Sequence, residues 1–128
     1  MKTLILMLTF SGLTSWASSN ALTTVVSNAE RENILADSFQ RTLYVFDMDQ
    51  NTNTSKCAAD CAEIWPPYLV SSTEATQLQA PFGTIVRANK KIQLTYNGRP
   101  LYTYFLDRQV GDDQGDGLGG VWHYIEIK

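Results

Sequence analysis

The chain has 128 residues, 44% hydrophobic and 18% charged, with ten Lys or Arg against thirteen Asp or Glu and a net charge of −3. That length holds one domain with a modest core and not two. An acidic chain without a basic cluster has no electrostatic footprint for nucleic acid or for anionic membrane surfaces, which excludes both as main partners.

Residues 1–21 read as a secretory signal peptide, with Lys2 followed by an apolar run from Leu4 to Leu13 and then small and polar residues. Cleavage is expected after Ala17, with Ser15 at the −3 position, or after Ala21, with Ser19 there. The apolar run is well short of the ~20 residues a spanning helix needs. No cysteine near either site can carry a lipid, so no membrane anchor is expected after cleavage. Residues 22–128 are then expected to form a single β-rich domain of net charge −4, with one histidine, His123, and one methionine, Met48.

The next organising feature is an internal repeat. TLYVFDMD at 42–49 returns as PLYTYFLD at 100–107, so Leu43, Tyr44, Phe46 and Asp49 recur as Leu101, Tyr102, Tyr104 and Asp107, offset by 58. Arg41 and Arg99 precede the two copies, and a polar loop leads from each aspartate to a tryptophan, Trp65 sixteen residues on and Trp122 fifteen residues on. In the first copy Leu43, Val45 and Asp47 alternate with Tyr44, Phe46 and Met48, the period of a strand ending in an acidic turn.

Flanking segments supply partner strands. NILADS is expected to pair with the first copy, TIVRA at 84–88 is a short strand, and GVWHYIEI alternates Val121, His123, Ile125 and Ile127 against Trp122, Tyr124 and Glu126. Asn97-Gly98 sits at the centre of a hairpin turn whose type I′ geometry needs positive φ at both residues. Helix is scarce: SKCAADCAEIW has room for about two turns, with Ser55 as cap and Pro66 and Pro67 as the stop, and SSTEATQL starts another. The expected fold is all-β and antiparallel, made of two similar hairpin-containing repeats at about 33–66 and 91–125 with a short helical turn at the cysteine pair.

These motifs make the chain resemble the bacterial family known as the secreted repeat of unknown function, exported proteins or lipoproteins carrying Tyr-x-(Phe/Trp/Tyr)-x-x-Asp. Tyr44-Val45-Phe46-Asp47-Met48-Asp49 and Tyr102-Thr103-Tyr104-Phe105-Leu106-Asp107 both satisfy that motif. Cys57 to Cys61 followed by Ala62, Trp65, Pro66 and Pro67 is similar to the family's Cys-x-x-x-Cys-Ala segment, as is the Gly-Asp-rich loop before Trp122-His123. The resemblance spans residues 33–127. It implies export and no particular activity; many relatives are lipoproteins, whereas this chain lacks the lipidated cysteine.

Three constellations carry chemistry. In an oxidising compartment Cys57 and Cys61 most simply form a disulfide. Two alternatives stay open: a thiol-redox pair, disfavoured by the spacing and by Asp60 and Glu63 beside the thiols, and a copper-type site in which His123 or Met48 joins the two thiolates. In DRQVGDDQGDGLGG, Asp112, Gln114, Asp116 and Gly117 match positions 1, 3, 5 and 6 of a calcium loop, but position 12 is His123 where glutamate is needed. Five glycines in residues 111–120 more simply mark a mobile loop with solvated acids.

The repeated motif is the third. Asp49 and Asp107 can accept hydrogen bonds from turn amides or from a tyrosine hydroxyl, which stabilises the fold; the alternative is that two exposed aromatic ladders form a ligand surface. Burial separates these readings. There is no nucleophile elbow, no His-Glu-x-x-His and no phosphate-binding glycine loop. The sequence therefore points to an exported, non-enzymatic protein of the cell envelope, a binding or stress-related accessory protein whose partner is a small ligand or an envelope protein, with no cofactor expected beyond the copper or calcium alternatives above.

Overall fold

A computed structural model describes residues 21–128; the expected leader up to residue 20, with the cleavage site after Ala17, lies outside them. Eight short strands form in chain order: β1 (Thr23–Val26), β2 (Ile34–Asp37), β3 (Tyr44–Phe46), β4 (Leu69–Val70), β5 (Phe82–Val86), β6 (Ile92–Tyr96), β7 (Arg99–Pro100) and β8 (Trp122–Tyr124). Two short helices interrupt them, α1 (Asp60–Ile64) and α2 (Ser72–Ala75). All strand pairings are antiparallel: β1 with β2, β3 with β8, and β6 with β4, β5 and β7. The expected all-β architecture is the observed one.

Local chemistry explains most elements. Asn97 and Gly98 take φ of 50° and 78° in the turn joining β6 to β7, as a two-residue hairpin requires. Ser71 caps α2 by accepting from the Glu74 amide, and the Glu74 carboxylate accepts from the Ser71 amide in return. The alternation in β3 sends Leu43 and Val45 into one core with Leu35, Leu94 and Leu101, and Tyr44 into a second core with Cys57, Trp65, Tyr102 and Trp122. This strand is buried on both faces and so separates two apolar layers.

The second copy of the motif departs from its expected form. Beyond β7, residues Leu101 to Tyr104 make isolated bridges rather than a continuous strand: Tyr102 bridges both Tyr44 and Pro67. Tyr44 and Tyr102, equivalent residues of the two repeats, exchange both backbone hydrogen bonds at 2.8 and 3.0 Å. A residue facing its own repeat counterpart in an antiparallel bridge places a local pseudo-twofold axis between them.

Two further details differ from expectation. β2 takes β1 as its strand partner, and its backbone pairing with the first motif is limited to the Ala36–Thr42 bridge and the Leu43 amide on the Leu35 carbonyl. α1 is a single turn that begins after Ala59, whose φ is 53°. Cys57 thus lies before the helix, and Ser55 is not its cap. The Ser55 hydroxyl is engaged instead with the Tyr102 hydroxyl at 2.6 Å.

Candidate functional site

The pseudo-twofold axis crosses the motif residues over. Tyr44 donates its hydroxyl proton to Asp107 Oδ2 at 2.5 Å, and Tyr102 donates to Asp49 Oδ2 at 2.5 Å. Each tyrosine is therefore bonded to the aspartate of the other repeat. The second oxygen of each carboxylate accepts a backbone amide seven residues on, Lys56 N for Asp49 at 2.6 Å and Gln114 N for Asp107 at 3.0 Å. The repeat register thus runs on through both loops, where Cys57 and Gly115 occupy equivalent places.

All four groups are inside: the tyrosines are fully buried, and Asp49 and Asp107 keep 2% and 8% of their accessible surface. Burial, reinforced by the adjacent carboxylate, pushes both phenol protons far above the usual tyrosine range. Burial also raises both carboxyls, against the opposing pull of their hydrogen-bond donors. Both phenols stay protonated at neutral pH and are committed to the carboxylates. The motif is scaffold.

The aromatic residues form one packed column. Phe46 stacks on Trp122 at 4.2 Å, Trp122 on Trp65 at 3.8 Å, and Trp65 packs on Tyr104 at 4.5 Å, with Tyr44 and Tyr102 edge-on to the tryptophans. Trp65 and Trp122, the repeat tryptophans, thus meet across the axis. With both tryptophans and both first motif tyrosines buried, the ladders do not form an exposed ligand surface.

Each loop is held differently. In the first repeat Cys57 and Cys61 are joined as a disulfide with Cα atoms 5.1 Å apart. Arg87 ties this loop to the sheet, donating to Ser55 Oγ, Gln93 Oε1 and the Cys57 carbonyl at 2.7 to 2.9 Å. In the second repeat Gly115 lies against the Trp65 ring, where an added Cβ would come within 2.6 Å of Cη2.

The acids of the glycine-rich loop are paired rather than solvated. Arg31 bridges Asp113 at 3.0 Å and Asp116 at 2.9 Å, and Asn28 donates to Asp113 and to the Gly111 carbonyl. Asp112 caps the amides of Arg108 and Gln109, which hold its carboxyl below the usual range. Asp112 and Asp116 are committed to separate partners and do not converge as a calcium loop would have them. Asn28 and Arg31, far upstream, carried no signal that tied them to this loop.

The copper-type set is also dispersed. The sulfurs of Cys57 and Cys61 are bonded to each other, Met48 is exposed, and His123 Nε2 lies 2.9 Å from Asp47 Oδ2. Among the described residues no three His, Cys, Asp or Glu side chains gather as a group able to hold a metal. Asp47 also pairs with Arg99 Nη2 at 3.2 Å. The imidazole hydrogen bond first and Arg99 second hold this carboxyl below its ordinary value.

That Asp47–Arg99–His123 corner was not legible as a unit, because its members come from the acidic turn after β3, from β7 and from β8. Arg99, His123, Asn97 and Tyr96 border a surface pocket of about 220 Å³ beside it. Arg99 Nε is buried there without a hydrogen-bond partner among the described residues.

A family model described as a secreted repeat of unknown function matches residues 29–68 and 83–126. The chain belongs to that family. Its two family repeats are the two units related by the pseudo-twofold axis, and both are somewhat longer than the motif spacing alone indicated. No curated protein and no solved structure matches the chain. No helix among the described residues is long and apolar enough to cross a membrane.

Proposed function

We propose that this member of the secreted repeat family is a non-enzymatic binding or stress-related accessory protein of the cell envelope. It works in the periplasm or outside the cell, without a membrane anchor, once the leader is removed after Ala17 or Ala21. Residues 22–128 act as one domain, and its partner is a small ligand or an envelope protein. The observation that supports this reading is the crossed pairing of Tyr44 with Asp107 and Tyr102 with Asp49. It commits the repeated tyrosines and aspartates to internal bonds, while the surface corner of Arg99 and His123 stays part-exposed.

The test is thermal unfolding of the exported protein with and without a low-molecular-weight extract of the producing cell's envelope. A ligand that prefers the folded state must raise the melting temperature. A rise that is lost on dialysis supports binding, and an unchanged melting temperature together with no cross-linked envelope protein refutes it. Native and denaturing intact mass spectrometry separates the copper-type or thiol-redox alternative at Cys57 and Cys61. A mass lower by two hydrogens with no alkylation supports the structural disulfide, and two alkylated thiols or a bound copper would make the cysteine loop the working site.

A further inference from the structure

We infer that the pocket bounded by Tyr96, Asn97, Arg99 and His123 is a binding site for a single neutral sugar ring; this rests on the binding function proposed above and names its ligand class. Three observations carry it. The pocket, about 220 Å³, is smaller than the ~300 to 1,000 Å³ typical of drug-sized ligand sites, so it takes one small ring and leaves any attached chain in solvent.

Its charge is already balanced. Asp47 pairs with Arg99 at 3.2 Å, so the carboxylate and the guanidinium offset one another, and His123 Nε2 lies 2.9 Å from the same carboxylate. The ion pair is nonetheless open at its edge, with Asp47 39% and Arg99 32% exposed. A fixed carboxylate beside a guanidinium offers acceptors and donors side by side, the pattern that neighbouring hydroxyl groups on a ring match.

The remaining lining is suited to the same ligand. His123 is oriented by its Nε2 contact with Asp47, and its other ring nitrogen, the Tyr96 hydroxyl and the Asn97 side-chain amide make no hydrogen bond among the described residues. Val45 and Ile125 supply an apolar wall for the C–H face of a ring. Donors and acceptors of balanced charge over an apolar wall select a neutral polyhydroxylated ring.

The experiment is an amide chemical-shift titration of the exported protein with glucose, galactose and N-acetylglucosamine separately, and with acetate and phosphate as anion probes. Saturable shifts confined to residues around Tyr96, Arg99 and His123 with at least one sugar are expected, with a dissociation constant on the order of 1 mM. His123→Ala, at a half-exposed position, is expected to weaken that sugar at least tenfold while the chain stays folded, as shown by a dispersed amide spectrum, and Asp47→Asn to do the same. Saturation by acetate or phosphate without any sugar overturns the sugar assignment while leaving a binding protein. No saturable shift at this corner with any of the five probes overturns the site itself, whether or not an envelope extract stabilises the protein elsewhere.

Discussion

The crossed tyrosine–aspartate pairs make a prediction that separates this fold from any arrangement in which each motif satisfies itself. Removing one hydroxyl by Tyr44→Phe takes a 2.5 Å bond from the buried Asp107 and also deprives the Gly115 amide of its acceptor. A hydrogen bond to a charged group is worth about 1.5–3 kcal/mol net, and a buried group left unsatisfied adds to the loss. Tyr44→Phe and Tyr102→Phe are therefore each expected to cost about 2–3 kcal/mol. The decisive measurement is a pair of double-mutant cycles by urea unfolding at neutral pH. Tyr44→Phe with Asp107→Asn shares one bond and is expected to show a coupling of about 1.5–3 kcal/mol. Tyr44→Phe with Asp49→Asn lies within one motif but shares no bond, and is expected to be additive to within about 0.5 kcal/mol. A larger coupling within the motif than across it would refute the crossed arrangement.

Other predictions follow from the same centre and its two loops. The phenols of Tyr44 and Tyr102 are raised above their unfolded value of about 10, so the stability they contribute is complete below that pH and is lost as pH rises above it. Phenolate absorbance from these two is expected only as the chain unfolds, and the cost of Tyr44→Phe is expected to shrink in alkali; their early titration in folded protein would count against the burial described here. Asp49 and Asp107, also raised by burial, should erode stability as pH climbs through and above the ordinary carboxyl range near 4, and urea midpoints at stepped acid pH check the sign. Reducing the Cys57–Cys61 bond, which closes a ring with a sequence separation of 4, is expected to cost about 2 kcal/mol from loop entropy while circular dichroism retains the sheet signal. Gly115→Ala, with its Cβ within 2.6 Å of Trp65, is expected to cost about 1–3 kcal/mol through overpacking and to disturb tryptophan fluorescence. Gly117→Ala, with open space but a φ of +81°, is expected to cost about 1–2 kcal/mol and to leave that fluorescence unchanged.

Much of the fold follows from short-range rules acting on neighbouring residues. The alternation of Leu43 to Phe46, the Asn97-Gly98 turn and the Ser71–Glu74 cap each depend on residues within a few positions of one another, and each forms as its local chemistry requires. The offset of 58 identified Tyr44, Phe46, Asp49, Tyr102, Tyr104 and Asp107 as corresponding members of two units. Trp65 and Trp122, sixteen and fifteen residues after the two aspartates, follow the same repeat with a slip of one residue, and only the structure shows that they stack on each other. The departures arise from partners far away in the chain. The second motif copy carries β-forming residues, yet its neighbours across the axis offer isolated bridges in place of a continuous strand partner.

The sequence by itself determined an acidic chain built from two β-rich repeats, with the cysteine pair in the loop of the first and a glycine-rich loop in the second. Only the tertiary structure decided that each tyrosine bonds the aspartate of the other repeat, that Arg31 reaches across to Asp113 and Asp116, and that Asp47, Arg99 and His123 share a corner. A repeat pattern states which residues are equivalent. Which equivalent residues meet depends on how the two units turn about their axis, and that rotation is chosen by the joint burial of Tyr44, Tyr102, Trp65 and Trp122 in one shared core, an energy that belongs to neither repeat alone.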